Sequence, residues 1–252
     1  MRVPQRHRYY GEPTVASIIN FFGFLGHVFS SFVDIFQGKL RITRLSLLNT
    51  IYDTGAKLLF PLLFITSLLG VSIIINIFNI LSPFDLQNKV LTVSQQILFY
   101  DFLPFLISIM LAMQAALNLV NAQIQELNRT PHEVVLTYII PIMIGTNISA
   151  LFLYMYALNI VIISIFFCFK YLLNTNISEY LFHLTTTFTP TSIIYSTIKM
   201  IMYCCLVSLI VGYYYYQVAS GHLLIRVAMS RIITRSFMWL AFFSVYFKFI
   251  NY

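Results

Sequence analysis

Four long stretches of this chain carry no charge. Leu58 to Phe84, Phe102 to Gln125, Val134 to Phe169 and Met200 to Ile225 contain no Asp, Glu, Lys or Arg. Each exceeds the roughly 20 apolar residues that a helix needs to cross a bilayer. In lipid, backbone N–H and C=O groups must be paired within the segment or around a closed barrel. A barrel would show alternating strands of about ten residues, whereas these runs are continuous and predict helices. Composition agrees. The chain is 59% hydrophobic and 9% charged, against about a quarter charged for a soluble domain. The expected fold is an all-α integral membrane protein.

Several functions are disfavoured at once. Nucleic-acid binding would need an exposed basic domain, which is missing from the pattern. Cys168, Cys204 and Cys205 lie inside apolar runs, with neither metal spacing nor a disulfide framework. The five histidines are scattered, so no metal site is expected. A membrane enzyme would need His, acidic or Ser/Cys groups clustered at one depth, and none is evident. There is no G-x-x-x-x-G-K-[ST] loop, so no catalytic role in ATP hydrolysis by that route is expected. Arg2, Arg6 and Arg8 are followed by a polar stretch rather than a short apolar core, which argues against a cleavable signal peptide.

Five spans are expected, near residues 58–81, 97–120, 142–168, 191–216 and 233–250. Pro141 and Pro190 mark helix starts or breaks. Ahead of them, Val15 to Phe36 is apolar with a polar stripe at Ser17, Asn20, His27, Ser31 and Asp34. Spacings of three, four and seven put that stripe on one helical face, as in an amphipathic helix lying in the membrane interface. A sixth span is the alternative. It would place Arg2, Arg6 and Arg8 across the membrane from Lys39, Arg41, Arg44 and Lys57. The expected organisation is a basic N-terminus with an interfacial helix over 1–57, then a five-span domain over 58–252. Segments 1–57, 121–133 and 218–235 carry seven, one and three Lys/Arg, whereas loops 82–96 and 169–190 carry only Lys89 and Lys170. The positive-inside rule then puts the N-terminus in the cytoplasm and the C-terminus outside.

That topology brings three charges to one height. Asp101 opens the second span, Lys199 lies about two turns into the fourth from the same side, and Lys248 is near the outer end of the fifth. Charges at membrane depth are costly and usually face a cavity or a partner. The expectation is an outward-opening cavity lined by Asp101, Lys199 and Lys248, with Tyr100 beside them and Asp101 pairing with a lysine. Each has a plainer reading. Asp101 caps a helix, Lys248 snorkels to the interface, and Tyr100 is an interface aromatic, as are Tyr213 to Tyr216. Arg231 and Arg235, four apart, share a cytoplasmic basic face. They contact the leaflet or a partner, or serve as positive-inside anchors.

Between spans two and three runs AQIQELNRTPHEVVLTYIIP, from Ala122 to Pro141. It is either a solvated hairpin or an ordered docking segment. Its pattern resembles that of the MlaE/YrbE-type permeases of MCE (mammalian cell entry) ABC lipid transporters, with Gln123, Ile124, Leu127 and Pro141 at matching places. Further matches are Asp101-Phe102-Leu103-Pro104 at the start of span two, Ser196-Thr197-Ile198-Lys199 in span four, and Ser230-Arg231 with Thr234-Arg235 before the last span. The resemblance covers most of residues 20–248. The chain departs from the pattern at Ala122, where an acid is usual, and at Ile142, where an Arg follows the Pro. It departs again at Met113-Gln114-Ala115-Ala116 in a Gly-Arg-rich stretch, and at Lys248 in place of an acid.

The resemblance implies a permease that is not itself an enzyme. Two copies would pair with a cytoplasmic ABC ATPase dimer, which carries the ATP and Mg²⁺, and with a periplasmic MCE-domain ring. The cargo would be phospholipid moved between the inner and outer membranes of a bacterium, maintaining outer-membrane lipid asymmetry. Gln123, Glu126, Leu127, Asn128, Arg129 and Glu133 would form a short cytoplasmic coupling helix on the ATPase, and Lys199 and Lys248 would meet a lipid phosphate. No cofactor is implied on this chain. The alternative is a non-ABC membrane component, such as a secretion-channel subunit or an ion-coupled carrier.

Overall fold

A computed structural model describes residues 13–37, 44–86, 89–126, 139–173, 177–187 and 189–250. Its α-helices are α1 (Pro13–Phe36), α2 (Arg44–Ile51), α3 (Lys57–Leu81), α4 (Val90–Gln95), α5 (Leu103–Glu126), α6 (Ile140–Cys168), α7 (Ile177–Thr187), α8 (Pro190–Ala219) and α9 (Ile225–Ile250). Wide π turns join α2 to α3 over Tyr52–Ala56 and α4 to α5 over Gln96–Phe102, and another extends α6 over Phe169–Leu173. Five helical stretches are long and apolar enough to cross a membrane: Leu47–Phe84, Val90–Val120, Ile140–Tyr171, Pro190–Ala219 and Ile225–Phe249.

Those stretches correspond to the five expected spans, with two boundaries corrected. The helix that carries the first span begins at Arg44 rather than near 58. Asp53 and Lys57 lie within it as an i,i+4 pair 2.6 Å apart, so their charges need not break the helix. The last helix begins at Ile225 rather than near 233, which places Arg226, Arg231 and Arg235 on α9 and not in a loop. Arginine is a good helix former, and these side chains stay exposed at one end of the span. The loops expected at 82–96 and 169–190 contain α4 and α7. Tyr180 anchors α7 to the bundle by donating its hydroxyl to the Ile162 carbonyl at 3.0 Å.

Helix ends follow the local chemistry. Thr189 caps α8, accepting from the Ser192 N–H, and Pro190 takes the first helical position, where a missing N–H costs nothing. At the other end Gly221 sits at φ +68°. Its N–H donates to Val218 O, and that of His222 to Gln217 O. This left-handed cap turns the chain into α9.

Without a hydrophobic drive between helices in lipid, close packing and polar contacts hold the bundle. A Cβ on Gly145 would lie 2.8 Å from Thr50 Cγ2, so α6 and α2 touch through bare backbone. Hydroxyls link α3 to α6 through Ser67 and Ser164 at 3.2 Å. They link α8 to α5 through the Tyr215 hydroxyl and the Ala115 carbonyl at 3.0 Å. Two π turns each present a carbonyl to another helix: Gln114 donates to Asp53 O at 3.1 Å, and Ser196 to Phe99 O at 2.7 Å.

The N-terminal helix α1 lies against α8. Phe24 and Val28 are buried, with the Phe24 ring 5.8 Å from those of Tyr213 and Tyr216. Ser31, a member of the expected polar stripe, is buried on this packed side, whereas Phe22 and Phe29 face outward.

Candidate functional site

At the end of the bundle where α4 meets α5, α8 begins and α9 finishes, a cleft of about 710 Å³ opens between these elements. The π turn shapes one wall. Its wider winding brings Gln96, Tyr100 and Asp101 to the same side of the helix, and single wide turns of this kind are common at functional sites. The turn is pinned from behind. The Tyr154 hydroxyl donates to Ser196 Oγ at 2.7 Å, and Ser196 donates onward to the Phe99 carbonyl, two residues before Asp101. All of these side chains are buried.

The opposite wall comes from α8 and α9. Ser192, Tyr195 and Lys199 recur at spacings of three and four along α8, which places them on one face. Phe247 and Lys248 close the cleft from α9. The carboxylate of Asp101 ties the walls together. Its Oδ1 lies 2.7 Å from Lys199 Nζ and its Oδ2 lies 3.1 Å from Lys248 Nζ. The two lysines differ sharply in setting. The Lys199 side chain is 3% exposed, Asp101 29% and Lys248 63%. Lys199 Nζ also lies 5.9 Å from the centres of the Tyr203 and Phe247 rings, whose faces attract a cation. One carboxylate and two ring contacts therefore hold a buried ammonium, and the second ammonium stands exposed on the same carboxylate.

The structure brings Tyr100, Asp101, Lys199 and Lys248 together. Asp101 caps no helix, because helical structure runs through it from Val90 to Glu126. Gln123 and Glu126 are on the last turns of α5, while Leu127, Asn128, Arg129, His132 and Glu133 lie outside the described residues, so the expected coupling helix does too. Arg231 and Arg235 are exposed near the opposite end of α9, away from the cleft. Sequence reasoning missed Gln96, Ser192, Tyr195 and Phe247. Stepping back along α8 from Lys199 by one and two turns would have found Tyr195 and Ser192. Nothing in the residues announces the π turn that presents Gln96.

Among the described residues, an all-helical bundle with five helices long and apolar enough to cross a membrane, and a polar cleft set into one end, defines a multi-pass membrane protein. Residues 47–250 match the family model described as Permease MlaE, and the chain belongs to that permease family. A search of curated proteins returns no match.

Proposed function

We propose that this chain is the transmembrane subunit of an ABC-type lipid transporter, with the cleft around Asp101 as its lipid headgroup site. The observation that carries the reading is the shared carboxylate. Two lysines and an aspartate held in contact at one end of an apolar bundle are expensive unless they face a cavity, and here they line one. Polar groups at the headgroup end and apolar walls beside them suit an amphipathic cargo.

In this reading the chain does not hydrolyse ATP. A separate ATPase dimer binds ATP and Mg²⁺, engages the segment from Gln123 to Glu133, and through it reshapes the cleft between two copies of the permease. An MCE-domain ring sits on the periplasmic face. The protein resides in the bacterial inner membrane with its N-terminus in the cytoplasm and its C-terminus in the periplasm. The cargo is phospholipid moved between inner and outer membranes, which maintains outer-membrane lipid asymmetry. Membership of the permease family, the basic residues at the end of α9 away from the cleft and the position of the cleft support this arrangement. Purification from membranes in mild detergent, with mass spectrometry of the bound proteins, tests it. An ATPase and an MCE-domain protein should co-purify with the chain. Recovery with secretion components and no ATPase would contradict the reading.

A further inference from the structure

Among the described residues, the charges lining the cleft do not cancel. They are one carboxylate, Asp101, and two ammoniums, Lys199 and Lys248, for a formal sum of +1. Both oxygens of the carboxylate are already engaged, Oδ1 by Lys199 and Oδ2 by Lys248. Lys199, at 3% exposure and held by Asp101 and two rings, offers a ligand little surface. Lys248 offers more. It is mostly exposed, its contact with Asp101 is the longer of the two, and its departure leaves Asp101 neutralised by Lys199. The remaining polar groups on the lining, among them Gln96, Tyr100, Ser192 and Tyr195, are uncharged.

From this we infer that Lys248 is the selectivity residue of the cleft and that the cleft favours lipids of net negative headgroup charge over zwitterionic ones. The inference rests on the reading of the cleft as a lipid site. A phosphodiester lacking an amine gains Lys248 and brings no charge in need of a partner. A zwitterionic headgroup offers the same phosphate but also an ammonium, and Asp101, the acid on the described lining, is already shared between two lysines. Lys199 is then a positioning residue that fixes Asp101, and through it the resting place of Lys248.

The test uses the full-length chain purified in mild detergent and two probes with identical acyl chains, dioleoyl phosphatidylglycerol and dioleoyl phosphatidylethanolamine. Binding is followed by native mass spectrometry at several ionic strengths. The anionic lipid should bind roughly three- to fivefold more tightly, the size of one partly exposed charge contact, and the ratio should shrink as salt rises. Lys248→Gln should bring the ratio to one, and Lys248→Arg should keep it. Equal binding of the two lipids by the unaltered chain, or an unchanged ratio in Lys248→Gln, would overturn the inference. Inorganic phosphate should not displace the anionic lipid, because it has no acyl chains to bury. Displacement would mean that the cleft takes a free anion instead. Thr191, at the start of α8, also lines the cleft, and Thr191→Trp, which puts a large ring there, separates selectivity from lipid binding itself. Loss of both lipids in this variant together with equal affinities in the unaltered chain would sink only the selectivity. Undiminished binding of both lipids in Thr191→Trp would sink the lipid site itself.

Discussion

Lys199 loses nearly all of its water on folding, and one carboxylate makes that tolerable. A buried ion pair is poor evidence of net stability, because desolvation of both partners offsets their attraction. Removing one partner is different, since it strands the other charge. Asp101→Asn should therefore destabilise the chain by ~3 kcal/mol, read as a fall in thermal unfolding temperature in detergent. Lys248→Gln should cost at most about 1 kcal/mol, because the Lys248 side chain is mostly exposed. Combining Asp101→Asn with Lys199→Met should recover most of the loss, since the stranded ammonium is gone. An Asp101→Asn chain as stable as its parent would mean that Lys199 does not depend on the carboxylate.

Between elements, the tightest test lies at the other end of the bundle, where Gly145 meets Thr50. A methyl on Gly145 would sit 2.8 Å from Thr50 Cγ2 and 3.1 Å from Thr50 Cβ, and a threonine side chain is too short to swing clear. Gly145→Ala should cost about 1–3 kcal/mol, as overpacking does. Thr50→Ser in the same chain removes the clashing methyl, keeps the hydroxyl, and should restore part of the stability. Failure of Thr50→Ser to help would mean that α2 and α6 can part without it. The helices themselves were legible in the uncharged runs, because bilayer thickness and backbone pairing leave few alternatives. Their ends were less so, since Asp53 with Lys57 and the arginines of α9 read as interruptions when they are ordinary helix residues near a membrane surface. The sense of α1 was also hidden. Lipid and bundle interior are both apolar, so the stripe containing Ser31 could not say which side packs against α8.

Across the whole molecule, the charges follow a simple plan. Asp101, Lys199 and Lys248 meet from three separate helices at one end, while the outward faces carry Phe60, Phe64, Phe242 and Phe249. Topology alone brought the three charges to one height in the sequence. The pairing of Asp101 with a lysine was also expected; the sharing of its carboxylate by both lysines, their unequal burial and the uncharged groups beside them came only with the structure, because these depend on a π turn and on helix rotation. The central claim is that a lipid headgroup occupies this cleft and not merely the outer surface. The most direct measurement is photocrosslinking of the purified chain with a phospholipid bearing a photoreactive headgroup, the adducts being mapped by mass spectrometry. Adducts are expected on the cleft lining at Tyr100, Tyr195 and Phe247, and should be lost in Thr191→Trp. Adducts confined to outward residues such as Phe242 and Phe249, unchanged in that variant, would contradict the account.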